Sequence, residues 1–181
     1  MKFLINTKTI TLGLMGSGIL LFSSCLKDTG PVQDYSTSPP VVSFQTDGQG
    51  GTWTQVTVPK TSSSTSPSID SVELSLGVAK LYLSTPVQVS VASQQASLDA
   101  FNAANGTSFV LLPAADYALQ NNGTETIPAG KNLQNFAVSF YGSSIDPTQQ
   151  YALPLTITGA TGGGSVVASN LNVFVLIIGL Q

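Results

Sequence analysis

From Val41 onward apolar and polar positions alternate with a period of two, the pattern of half-buried strands. Val41-Val42-Ser43-Phe44 opens it, and Trp53–Val58 continues it with Val56 and Val58 on one face and Trp53, Gln55 and Thr57 on the other. Asp47-Gly48-Gln49-Gly50-Gly51 between them reads as a turn or bulge. Val72, Leu74 and Leu76 alternate with Ser71, Glu73 and Ser75; Leu81 and Leu83 flank Tyr82; Val87, Val89 and Val91 follow Pro86. Pro86 cannot donate to a ladder, so it marks a strand start, an edge or a bulge. Phe136, Val138 and Phe140, then Leu153, Leu155 and Ile157, repeat the alternation. The Ser/Thr run 61–67 predicts a loop with nothing to bury. The closing run 173–178 is apolar on both faces, so it belongs mid-sheet under two covers, or against a partner.

One interruption has helical spacing. Ser97 is the expected N-cap, Leu98 and Phe101 share a face, and Gly106 is the stop. A helix of under about ten residues does not persist alone and must dock on the sheets. Phe109, Leu111 and Leu112 are expected to lid the core, and Pro113 to open a second short turn ending near Tyr117 and Leu119. Asn122-Gly123, Ala129-Gly130 and Gly162-Gly163-Gly164 are turns. About eight short strands separated by turn residues predict an all-β fold, an immunoglobulin-like Greek-key β-sandwich over residues 41–181 with one or two short helices in a long connection. A domain of about that size needs neither metal nor disulfide to fold.

Residues 1–40 obey other rules. Lys2 and Lys8 flank the start of an apolar run, 10–22, that is too short to span a bilayer, and Ser23 and Ser24 precede Cys25. Residues 1–24 therefore read as a signal peptide. The Phe22-Ser23-Ser24-Cys25 end resembles a bacterial lipoprotein processing site, with Phe22 where Leu is usual; the resemblance implies lipidation of Cys25, which becomes the mature N-terminus. Cys25 is the sole Cys and has no disulfide partner in the chain. Residues 25–40 lack apolar periodicity and form a flexible tether. Lys27-Asp28 partly resembles the signal that sends some Bacteroidetes lipoproteins outward. The expected location is the outer membrane, facing outward, with the membrane as partner through the lipid.

Charge narrows the partners further. Only 8% of residues are charged and the formal net charge is -3. Every basic residue is Lys, so no Arg cluster or basic stripe exists for phosphate, and nucleic acid is excluded. With no His and no available thiol, the usual base of an acyl-transfer triad and the usual transition-metal ligands are missing. No complete calcium loop is present. Two-carboxylate glycoside hydrolysis remains, for which Asp70, Glu73, Asp99, Asp116, Glu125 and Asp146 are the acids to consider. None sits in a pattern that argues for a raised pKa. No catalytic residue, metal or cofactor is expected.

Two surface features point to ligands. Trp53 is the only Trp, and Gly50 and Gly51 beside it leave room for a sugar face to stack on the ring, with Gln55 and Thr57 as hydrogen-bonding neighbours. The alternative is that Trp53 covers the end of the core. Asp70-Ser71-Val72 matches a short Bacteroidetes O-glycosylation pattern at Ser71, which is equally the polar face of a strand.

Leu81-Tyr82-Leu83-Ser84, the helix end Phe101-Asn102-Ala103-Ala104-Asn105-Gly106-Thr107, Leu112-Pro113 followed by Tyr117, Ile127-Pro128-Ala129-Gly130 and Tyr151-Ala152-Leu153-Pro154-Leu155 occur in an order and spacing that resemble a domain of unknown function in Bacteroidetes surface lipoproteins. Phe101 stands where that family's pattern has Tyr. The resemblance implies an immunoglobulin-like fold of the kind found N-terminal to family-18 glycoside hydrolase, discoidin-type or laminin-G-type domains, and a glycan-related setting. The motif residues themselves read as structural: Gly106 and Gly130 for turns, Pro113 and Pro154 for strand ends, Tyr117 and Tyr151 as partly buried rings. Two functions are expected on these grounds. One is a non-catalytic, glycan-binding accessory lipoprotein of a polysaccharide or glycoprotein utilisation system. The other is a structural or adhesive module that pairs with a surface protein.

Overall fold

The computed structural model describes residues 38–46, 51–78 and 83–181. The expected signal peptide, Cys25, the tether to residue 37, the turn at 47–50 and Leu81-Tyr82 lie outside the described residues. In chain order the elements are β1 (Val41–Phe44), β2 (Trp53–Val58), β3 (Ser68–Gly77), β4 (Val87–Ser93), α1 (Gln95–Asn105), β5 (Val110–Leu111), β6 (Tyr117–Leu119), a 3-10 turn (Gln120–Gly123), β7 (Thr124–Ile127), β8 (Leu133–Phe140), β9 (Tyr151–Thr161), β10 (Val166–Val167) and β11 (Val173–Leu180).

The strands form two sheets, β10-β1-β3-β8-β6 and β2-β11-β9-β4-β7, with β5 beside β9. This is the expected immunoglobulin-like sandwich. One sheet contributes Val42, Phe44, Val72, Leu74, Leu76, Phe136, Val138 and Phe140, and the other Val56, Val58, Val87, Val89, Val91, Leu153, Leu155, Ile157, Phe174 and Leu176. Each inward set is a period-two series, and that is why the pleat holds these registers: a slip of one residue would turn the whole set outward. Three pairings are parallel, β1 with β10, β2 with β11 and β5 with β9.

The closing run is the interior strand β11, and α1 is its second cover. Val175, Leu98 and Ala152 form a satellite core on the outward face of the sheet, with Phe101, Phe109, Leu111, Val173 and Ile177 against it. The helix is eleven residues long and ends at Gly106, whose φ of 65° is the left-handed geometry that glycine adopts without strain. Asn102 latches the segment beyond the helix end: its Oδ1 accepts from the Thr107 hydroxyl (2.8 Å) and the Phe109 N–H (3.1 Å), while its Nδ2 donates to the Phe109 carbonyl (2.9 Å).

Three local expectations need correction. The N-cap is Gln94, without a side-chain cap; Ser97 lies inside α1, and its hydroxyl pairs with that of buried Thr156 at 2.9 Å. A buried hydroxyl without a partner would be costly, so Ser97 serves the sheet and not the helix end. Pro154 sits in mid-strand. The Val175 N–H points away from it, donating to the Thr52 carbonyl (2.8 Å), so the Val175–Pro154 pair exchanges no hydrogen bonds. The Pro154 nitrogen then faces the gap between the end of β5, opposite Ala152, and the end of β4, opposite Leu155. Finally, the Ser/Thr run does bury one residue. Ser62 Oγ donates to the Pro59 carbonyl (2.7 Å) and accepts from the Gly142 N–H (2.8 Å), while the Ser62 carbonyl accepts from Ser143 (2.9 Å).

Candidate functional site

A cleft of about 410 Å³ opens where the two sheets part. Strand lengths make it. β3 has ten residues and β1 four, and β1 pairs only with residues 74–77 of β3. One further bond, from Gln45 N–H to the Glu73 carbonyl at 2.7 Å, ends the contact. Among the described residues, nothing pairs with Ser68–Val72 on that side. Opposite this free edge runs β2, which among the described residues is the outermost strand of the other sheet and pairs with β11 alone.

Asp70, Ser71 and Glu73 from β3, Trp53 and Thr54 from β2, and Gln45 and Gly51 from the flanking segments line the cleft, with buried Val72 and Phe174 as its apolar part. Trp53 is 50% exposed. Gln55 and Thr57 share its face of β2 and are exposed, but neither lines the cleft. Trp53 and Ser71, singled out for different reasons, come together. Gln45, Thr54 and Phe174 carried no sequence signal for a site. Thr54 and Phe174 enter because β2 pairs in parallel with β11, and Gln45 because β1 ends there against β3, long-range choices that alternation does not encode.

The six acids do not assemble a catalytic pair. Asp70 and Glu73 share the cleft but stand three apart on one strand, so their side chains leave opposite faces. Asp70 accepts from the N–H of Ser71 at 2.7 Å. Asp99 accepts from Gln95 along α1. Buried Glu125 accepts from Gln120, Asn121 and Gln134 side-chain amides and the Thr126 N–H, and Gln120 also accepts from Ala137 N–H, tying β7 to β8 across the sheets. Asp146 closes a turn, where the backbone N–H and the hydroxyl of Thr148 hold its carboxyl below the usual carboxylate range, the wrong direction for a general acid. Among the described residues no group of three or more acids, His or Cys could hold a metal.

A second groove, about 420 Å³, lies between α1 and the start of β11, lined by Ala96, Ala100, Phe101 and Ala104 on the helix, Val173 and Val175 on the strand, and Asn105, Asn170 and Asn172. Thr52 also lines it, so segment 51–54 has a concavity on either side.

The fold and cleft define an immunoglobulin-like sandwich module whose open feature is a sheet edge. Within that class, a family model describing an N-terminal domain matches residues 35–164, and the chain belongs to that family, a Bacteroidetes domain of unknown function. No curated protein matches the chain. Solved structures that match share its fold. A candidate carbohydrate binding protein from Bacteroides ovatus is 18% identical with a TM-score of 0.56, over 76% of this chain and 36% of its own. A multidomain protein including DUF1735, also from Bacteroides ovatus, is 18% identical with a TM-score of 0.59, over 77% and 45%. EndoBT-3987 of Bacteroides thetaiotamicron, bound to a Man5GlcNAc product, is 16% identical with a TM-score of 0.53, over 70% and 28%. This chain thus spans less than half the length of each.

Proposed function

We propose that this chain is a non-catalytic glycan-binding accessory module of a polysaccharide or glycoprotein utilisation system, with the Trp53 cleft as its binding site. One observation carries the reading: the only Trp is half exposed beside a cleft whose polar groups are Gln45, Thr54, Asp70 and Glu73. An aromatic face takes the C–H face of a sugar, and carboxylates and amides take its hydroxyls. The names of two fold neighbours, one a candidate carbohydrate binding protein and the other bound to a glycan product, support the same direction. The test is a glycan array probed with the full chain and with Trp53→Ala. Binding by the wild type should fall at least tenfold in the variant while stability stays within about 0.5 kcal/mol of the wild type, the change expected of a surface substitution. A large fall in Tm, or unaltered binding, would count against the cleft.

We further propose that Cys25 carries the lipid anchor and that the module faces outward from the outer membrane. Two or three acyl chains, each CH₂ contributing about 0.8 kcal/mol, hold a protein on a membrane where one chain does not. Cys25→Ala should leave the chain unprocessed or move it from the membrane to the soluble fraction. Unchanged partition with an unmodified mature N-terminus would remove the anchor from the proposal.

The adhesive reading keeps one observation in its favour. Ile69, on the stretch of β3 that β8 pairs on one side only, is 66% exposed, and an open strand edge with an apolar side chain is a template for another strand. Retention of a partner protein by the wild type and not by Ile69→Lys, with no glycan bound, would favour it.

A further inference from the structure

We infer that the glycan recognised by the Trp53 cleft carries no acidic groups, an inference that rests on the glycan reading and adds the charge class of the ligand. Asp70, on the face of β3 that carries Val72 and Leu74, and Glu73, on the strand's other face, both border the cleft. Neither Lys60 nor Lys131, the described cations, lines it, and the chain contains no Arg or His. Selective capture of a uronate, a sialic acid or a sulfate ester relies on a cation or on a set of converging N–H donors. What Asp70 and Glu73 offer is the opposite, because an ionised carboxylate is an acceptor only. Hydroxyl groups satisfy such acceptors; an anionic substituent a few Å away is repelled by them.

The groove on the other side of segment 51–54 points the same way. Among the described residues no ionisable side chain lines it, and its polar groups are Thr52, Ser97, Asn105, Asn170 and Asn172. An oligosaccharide reaching beyond the cleft in that direction would meet hydroxyls and amides, with no cation among the described lining residues to hold an acid.

The experiment pairs each neutral oligosaccharide on an array with a counterpart differing only by a sialyl, uronate or sulfate group, and probes the array with the full chain. The neutral member should be retained on the order of tenfold more strongly, the effect of a like-charge pair at several Å in a partly screened site. Raising the salt to about 1 M, where the Debye length is about 3 Å, should narrow the gap. Asp70→Asn with Glu73→Gln should narrow it at low salt. The salt series needs no variant, so it decides the question even if the double variant folds poorly. Equal or stronger retention of the acidic members, or a gap that salt does not move, would overturn the inference and leave the glycan reading standing. Retention of no glycan at all would overturn both.

Discussion

Val175→Asp is expected to abolish the cooperative thermal transition of this domain. Val175 is 1% exposed, on the face of β11 that α1 covers, in contact with Leu98 and Ala152. A carboxylate there would have neither water nor a cation, at a cost of several kcal/mol against a total stability of about 5 to 15. The loss should spread, because β11 joins β2 to β9 and contributes Phe174 and Leu176 to the main core on its other face. Ile69→Asp, on an exposed position of β3, is the control and should melt within a few degrees of the wild type. If Val175→Asp instead retained its Tm, α1 would not be seated on that face in solution.

Gly142→Ala should cost about 3 kcal/mol, lowering Tm by roughly 10 °C in a domain of this size. A Cβ on Gly142 would overlap the Pro59 carbonyl oxygen and come within 2.9 Å of Val58 Cγ1 and 3.0 Å of the Pro59 carbonyl carbon. Two of those neighbours are backbone atoms and cannot swing aside. Relief would part the two loops and break the Gly142 N–H bond to Ser62 Oγ. Gly130→Ala, where a Cβ would meet nothing within 4 Å, separates the two effects, since only its positive φ of 76° opposes substitution. A melt for Gly142→Ala no lower than for Gly130→Ala would show that the loops give way freely.

Alternation made the strands readable, because burial on one face forces period two whichever neighbour a strand takes. It also exposed the peculiarity of β11: a run apolar on both faces needs two covers, and a helix too short to persist alone needs a surface. Those two expectations describe the same contact, between Leu98 and Val175. What stayed hidden depends on partners distant in the chain. Ser62 looks like every other Ser in its run until Gly142 is brought beside it. Pro154 reads as a strand end because its tolerance comes from a gap between β5 and β4. For the site, Trp53 was visible through its residue type and its place opposite Val56 and Val58. Thr54, Gln45 and Phe174 were not, since the cleft exists only because β1 is shorter than the β3 edge it lies along. The charge class of the cleft was half visible, as a chain without Arg.

The parallel pairing of β2 with β11 has a mechanical consequence. Six residue pairs, from Trp53 with Val175 to Val58 with Leu180, run in the same direction. A pull on the chain ahead of β2, opposed by a load beyond the end of β11, would draw the two strands lengthwise past each other. Such a load falls on the six rungs together in shear, whereas an antiparallel hairpin pulled from its open end unzips one rung at a time. A load that enters at β2 and leaves at β11 is therefore met by the whole pairing at once.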